Sequence, residues 1–201
     1  MDRHAHNEVD ATVSPTDEAR RPADRSDSAR LLHLSETDQF EVAKGEPDID
    51  GWDVKDTEGR KLGEVEDLLV DTGDMRVRYI EVHLEKKIAR EEGDARRYVL
   101  VPVGAARLDD DNDDVIVDLG AANIPGLPAY SRGSLTREYE TSLLERYGSR
   151  RTPDDVADRT SRSAASDEFY SGRHFDDSRF FGSRRKGRET SPYISRRTAS
   201  R

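Results

Sequence analysis

Apolar residues follow a strand-like spacing over residues 51–119 and a helix-like spacing once, after residue 136. Trp52-Asp53-Val54-Lys55 alternates apolar and polar. Asp56-Thr57-Glu58-Gly59 follows with an acid at the first turn position and glycine at the last, which predicts a hairpin. Its return strand runs over 61–70, where Leu62 and Val65 stand three apart and the period of two fails at Gly63, as at a β-bulge. The turn Asp71-Thr72-Gly73-Asp74 leads into a third strand over 75–84. Val77 and Tyr79 keep one phase there and Ile80, Val82 and Leu84 the other, so that strand is bent or buried on both sides. Tyr98-Val99-Leu100-Val101-Pro102-Val103 is the most apolar run, and Pro102, lacking an N–H, belongs at a strand end or edge. Val115-Ile116-Val117-Asp118-Leu119 supplies a fifth strand.

The helix is predicted over 136–148. Thr136 is suited to the N-cap, Glu138 and Glu140 place negative charge in the first turn, and Gly148 suits the stop. Tyr139, Leu143, Leu144 and Tyr147 form one apolar stripe for packing on the β-domain. Before the domain, Leu31-Leu32-His33-Leu34, Phe40 and Val42 read as a lead-in that packs along it as a short helical turn or strand. Residues 85–97, with Lys86-Lys87, Arg90-Glu91-Glu92, Gly93 and Arg96-Arg97, read as a long exposed hairpin loop, with docking as a secondary use. His83 alternates with Val82 and Leu84 and should face outward.

In order, Asp56 to Gly59, Leu62-Gly63-Glu64-Val65, Asp67-Leu68-Leu69-Val70-Asp71, Val77-Arg78-Tyr79-Ile80-Glu81-Val82 and Val99-Leu100-Val101-Pro102 resemble the PRC-barrel domain. That domain is known from the cytoplasmic part of the H subunit of purple-bacterial photosynthetic reaction centres and from the ribosome maturation factor RimM. The entry Pro47-Asp48-Ile49-Asp50-Gly51, the step Val77-Arg78-Tyr79 and an exit through Leu127-Pro128-Ala129-Tyr130 and Leu143-Leu144-Glu145-Arg146-Tyr147-Gly148 are closest to the reaction-centre branch. The resemblance covers 34–148, with Gly59, Gly63, Asp71, Tyr79 and Pro102 as fold-motif positions. It implies a mainly β fold, a small PRC-type β-barrel with a C-terminal α-helix. It further implies a place peripheral to a membrane complex of the reaction-centre kind and a photosynthesis-related setting.

Composition limits the rest. With 33% hydrophobic and 38% charged residues in 201, there is core material for one small domain, assigned to 31–150, between disordered tails at 1–30 and 151–201. No cysteine is present, which removes disulfides, thiolate metal sites and thiol catalysis and agrees with a cytoplasmic protein. No stretch near the ~20 apolar residues of a membrane span occurs, so a soluble chain is expected. Net charge is −2 over 1–30, −12 over 31–150 and +4 over 151–201, within −10 for the chain. An acidic barrel is a poor phosphate binder, whereas the basic tail could meet nucleic acid, an anionic membrane, its own barrel or a neighbouring copy.

No constellation of acid, base, nucleophile or metal ligands stands out, so the expectation is a non-enzyme without cofactor or metal. His4 and His6 lack a third ligand, and Asp109-Asp110-Asp111-Asn112-Asp113-Asp114 lacks the spaced pattern of a calcium loop and reads as a solubilising acidic turn. The last segment holds Phe169, Phe175, Phe180 and Phe181. Phe169-Tyr170-Ser171-Gly172-Arg173 is echoed by Phe180-Phe181-Gly182-Ser183-Arg184, a short repeat of aromatic doublet, small residues and arginine. Read as aromatics outside the core, Phe169, Tyr170, Arg173, Phe180, Phe181 and Arg184 become candidate partner-binding residues. The functional expectation is a scaffold or adaptor that docks on protein partners. The alternative is a RNA- or ribosome-associated assembly factor of RimM-like type, using the basic tail.

Overall fold

The computed structural model describes residues 31–89, 97–109, 111–133, 135–148, 169–178, 180–181 and 193–198. The tail 1–30 with His4 and His6, much of the 85–97 loop, Asp110, residues 151–168, and Arg184 with the basic run around it lie outside them. The strands are β1 (Leu31–His33), β2 (Phe40–Val42), β3 (Asp53–Asp56), β4 (Lys61–Asp71), β5 (Arg76–Leu84), β6 (Tyr98–Pro102), β7 (Ala106–Asp109), β8 (Asp114–Val117) and β9 (Ile194–Arg196). Among the described residues they are joined by a single turn α1 (Lys86–Ala89) and by α2 (Arg137–Gly148). No described helix is long and apolar enough to cross a membrane.

The main sheet runs β6-β5-β4-β3-β8-β7, with β1 added antiparallel to the far end of the long β4, and β3 and β8 parallel. Both predicted hairpins form. Asp56 Oδ1 accepts the Glu58 and Arg60 N–H groups at 2.9 Å each, and Gly59 takes φ +79°. Asp71 Oδ1 accepts the Gly73 N–H at 2.9 Å and the Asp74 N–H at 3.2 Å. The bulge expected at Gly63 is there, with Leu62 as the extra residue between the pairs Val54↔Gly63 and Lys55↔Lys61. Gly63 has a second cause: a Cβ on it would lie 2.1 Å from the His83 carbonyl oxygen. Two further bulges were not foreseen, at Glu66 on β4 and Arg78 on β5, the latter breaking the phase of the third strand.

β6 and β7 end the sheet order yet follow each other in the chain. The 3-10 turn Val103–Ala105 joins them and spans at most about 14 Å between Pro102 and Ala106. The sheet therefore curls far enough to bring the end of β6 and the start of β7 together, and the barrel is closed at this seam by the chain and not by a ladder. Pro102, unable to donate, sits at that seam.

The expectation that the tail aromatics stay outside the core is overturned. Tyr170, Phe175, Phe180, Phe181, Tyr193 and Ile194 are buried in the same core cluster as the barrel residues, so the folded unit extends past residue 150. The seam explains why. The tail turn Arg173–Phe175 lies on Gly104, where a Cβ would meet the Arg173 carbonyl oxygen at 2.3 Å, and Leu108 of the edge strand β7 donates its N–H to the Phe180 carbonyl at 3.3 Å. Phe175 meets Tyr79 edge-on at 5.3 Å. The tail ends in β9, which pairs antiparallel with β2, Val42 opposite Ile194. The lead-in thus becomes strand, 3-10 turn and strand, with β2 held by the other end of the chain.

Candidate functional site

α2 starts as expected, with Tyr139 donating its N–H to Thr136 Oγ1 at 3.2 Å, and Leu143 and Tyr147 are buried while Tyr139 and Leu144 are half-buried. Its buried face also carries a charge, Glu140. Glu140 Oε1 accepts the hydroxyls of Tyr79 at 2.9 Å and Tyr170 at 2.6 Å, and Oε2 lies 3.2 Å from Arg137. Burial, then the Glu140 carboxylate, hold both phenols above their ordinary range. Arg137 in turn lies 3.8 Å over the Phe169 ring, and Arg78 lies 4.8 Å over Tyr170 while pairing with Asp71 at 3.1 Å. The first aromatic doublet is therefore spent on its own barrel. So is the second, where Phe180 and Phe181 meet edge-on at 4.8 Å and Phe181 stacks on Tyr193 at 4.7 Å. Arg173 belongs to the tail turn at the seam.

A buried polar cluster was missed in the sequence. Asp67 on β4 and Glu81 on β5 are directly opposite in register, two carboxylates side by side on one face. Like charges so placed repel. His33, the last residue of β1, comes alongside, its Nδ1 3.3 Å from Asp67 Oδ2 and 3.3 Å from Glu81 Oε2. The ring's Nε2 lies 2.9 Å from the Tyr130 hydroxyl. Arg132 closes the group, its Nη2 3.1 Å from Asp67 Oδ2 and 3.0 Å from Glu81 Oε2, its Nη1 3.1 Å from Glu36. Asp67 is fixed further by the N–H groups of Leu68 at 2.8 Å and Ser35 at 3.2 Å and by the Ser35 hydroxyl.

Burial opposes the charged form of His33, but the Asp67 and Glu81 carboxylates outweigh it and raise its pKa to about 9. Burial likewise opposes ionisation of Asp67, and the donors from His33, Ser35 and Leu68 outweigh it, holding that carboxyl below the usual range. Tyr130 is pushed up by burial and then by Glu81. The group is a charge-balanced quartet of two cations and two anions. Among the described residues, His33, Asp67 and Glu81 are the His and carboxylate group whose ligand atoms lie within 4.8 Å of one another.

Asp67, though buried, also contributes to the wall of a cleft of about 360 Å³ between β2 and the bulged part of β4. Leu34, Phe40, Val42, Val65 and Leu68 give the cleft apolar walls, and Glu41, Asp48, Asp50, Glu66 and Asp67 stand against Arg197 in lining it. A larger hollow of about 810 Å³ near Gly104 and Tyr147 mixes Arg146 and Arg173 with Asp118 and Asp176 and has no single sign.

Residues 45–124 match the family model of the PRC-barrel domain. This segment is a PRC-barrel domain. Among curated proteins, none matches the chain. The match takes in β3 to β8, while β1, β2, α2 and the docked tail flank it in sequence. The fold-motif residues have structural work within or beside that domain. Gly59 and Asp71 make turns, Gly63 permits strand contact, Tyr79 binds the helix through Glu140, and Pro102 ends β6 at the seam. Of the other expectations, His83 is half-buried and packs 5.2 Å from Tyr98, and the described residues of the acidic run lie between and at the facing ends of β7 and β8, with Asp114 paired to Lys55 at 2.5 Å.

Proposed function

We propose that the chain is a non-catalytic adaptor whose PRC-barrel domain docks on a protein partner, and that it does so through the acidic cleft and not through the tail aromatics. The observation that carries this reading is the cleft itself, with five carboxylates around apolar walls. Its chemistry suits a partner segment in which lysine or arginine alternates with a short apolar side chain, since steering comes from charge and burial from the walls. Among the described residues, Leu32 is the exposed large hydrophobic, 41% accessible, so an apolar docking face has little material elsewhere. The resemblance to the reaction-centre H subunit supports a cytoplasmic, membrane-peripheral place for the complex.

The test is capture from native cells by the full chain after nuclease treatment, followed by carbodiimide coupling, which joins carboxylates to lysine amines at zero length. Coupled peptides pairing Asp48, Asp50 or Glu66 with lysines of one partner, lost in the Asp48→Lys, Asp50→Lys, Glu66→Lys variant, are expected. Recovery indifferent to that charge reversal would overturn the cleft as the docking site. Recovery of ribosomal material only without nuclease would favour the RNA-associated alternative.

A further inference from the structure

We propose that His33, Asp67 and Glu81 form a site for a divalent transition-metal ion of the zinc class, with Arg132 as the built-in cation that holds the place when the ion is away. Four observations lead there. The first is distance. A tetrahedral ion with bonds of about 2.0–2.1 Å sets its ligand atoms about 3.3–3.4 Å apart. His33 Nδ1 stands at 3.3 Å from each carboxylate oxygen, and all three atoms lie within 4.8 Å of one another.

The second is the state of that nitrogen. The His33 side chain is 8% exposed, and its Nδ1 is buried and aimed between the two carboxylates, 3.3 Å from each, in a charge contact that falls short of full hydrogen-bond geometry with either. Its other nitrogen is taken by the Tyr130 hydroxyl. This is the arrangement in which an outer partner fixes the ring and leaves one nitrogen for a metal.

The third is the support. The ligands come from three adjacent strands, β1, β4 and β5, with Asp67 and Glu81 locked opposite each other by the ladder and Asp67 tied to the Leu68 and Ser35 N–H groups. The fourth is charge and access. Arg132 Nη2 touches the same two oxygens the ion would take, but the side chain is 38% exposed and already holds Glu36 with its other nitrogen. A divalent ion entering from the acidic cleft, whose wall includes Asp67, would release one proton from His33 and let the guanidinium swing towards Glu36. Two positive charges leave and two arrive, so the buried carboxylates stay neutralised. One imidazole with two carboxylates suits zinc and its neighbours over calcium or magnesium, which favour all-oxygen sets.

The experiment uses the full chain with His4→Ala and His6→Ala as background, stripped with a chelator and titrated with Co²⁺ by visible absorbance and with Zn²⁺ by calorimetry. One equivalent is expected, with the intense d–d bands of a tetrahedral or five-coordinate Co²⁺ site. His33→Ala, checked for folding by circular dichroism, abolishes it. Arg132→Gln removes the competitor and tightens binding by roughly tenfold or more, about the worth of one charge-assisted hydrogen bond. That gain is a readout a merely structural ion-pair network would not give, and it decides the matter if His33→Ala does not fold. Binding retained by a folded His33→Ala, unchanged affinity in Arg132→Gln, or no binding in either the parent or Arg132→Gln would overturn the proposal.

Discussion

If the tail closes the barrel seam, its aromatics are core residues, and shortening them must destabilise the barrel itself. Phe180 and Phe181 are 0% and 1% exposed and meet each other at 4.8 Å, with Phe181 stacked on Tyr193. Truncating a fully buried phenylalanine costs about 3–5 kcal/mol, transfer and cavity together. Against a total of roughly 5–15 kcal/mol for a domain, either change removes a large share. In urea, with a slope of about 2 kcal/mol/M, Phe180→Ala should lower the unfolding midpoint by roughly 1.5–2.5 M. Phe181→Ala should behave alike, and the double variant should lose less than the sum, because the two rings share one cavity. The probe is Trp52, which lies before β3 and is remote from the tail in sequence, so a shift read there reports the barrel. Midpoints within about 0.3 M of the parent in both single variants would refute the reasoning, since a fully buried aromatic cannot be that cheap to remove. The same outcome would return Phe180 and Phe181 to the role of free docking anchors.

Gly104→Ala tests the seam from the other side. Its Cβ would meet the tail backbone at 2.3 Å, so the tail should lift and trypsin should cut after Arg173 at least several-fold faster, while the barrel keeps its β circular dichroism. Gly63→Ala presses on the β5 backbone at 2.1 Å, where β4 is also paired to β3, and should cost at least the roughly 1–3 kcal/mol of an overpacked core, read as a lost midpoint or insoluble chain. Tyr170→Phe keeps the ring but removes the donor to Glu140, for about 1.5–3 kcal/mol by denaturant titration. In metal-free protein the raised pKa of His33 has an alkaline signature. Stability is complete below about 6.5, declines as pH rises through about 9, and the difference is about 3 kcal/mol; the ring-proton titration followed by nuclear magnetic resonance checks the midpoint. Asp56 and Asp71 act oppositely. For both, burial is outweighed by hydrogen bonds, from Arg60 to Asp56 and from the Asp74 N–H and Arg78 to Asp71, so their contribution is present above about pH 4 and is lost on acidification. Asp71→Asn should flatten that acid limb.

The strands legible in the sequence were those whose turns carried their own chemistry. Asp56 with Gly59 and Asp71 with Gly73 bind the backbone locally, so their hairpins could be read without knowing the fold. β7, with Leu108 as its one large apolar residue in four, gave no period, and β1, β2 and β9 are three residues each. They exist because something distant pairs with them. The tail was misread for a related reason. Its Ser, Arg and Asp content describes most of its length, but the residues that decide its fate are few. Tyr170, Phe175, Phe180, Phe181, Tyr193 and Ile194 are recruited by an unpaired seam that no property of the tail reveals.

The charged cluster was hidden by register. Counting back from the pair Asp71↔Arg76 along an unbroken ladder sets Asp67 opposite Ile80, an ordinary contact of acid with aliphatic. The bulge at Arg78 slips the ladder by one, since Val70 pairs with Val77 but Leu69 with Tyr79, and Asp67 then meets Glu81. Arg78 is bulged where it can reach Asp71, at 3.1 Å, so one buried ion pair accompanies the slip that creates the need for another. Two facing carboxylates in an apolar strand pair require a cation. The chain supplies it from two places that no spacing rule connects, a histidine ending β1 and an arginine just before α2. The trace available in the sequence was the pair of acids themselves, Asp67 and Glu81, each set inside an otherwise apolar run. Acids at such positions are costly unless something positive lies against them, and that cost, not the spacing, is what points to the site.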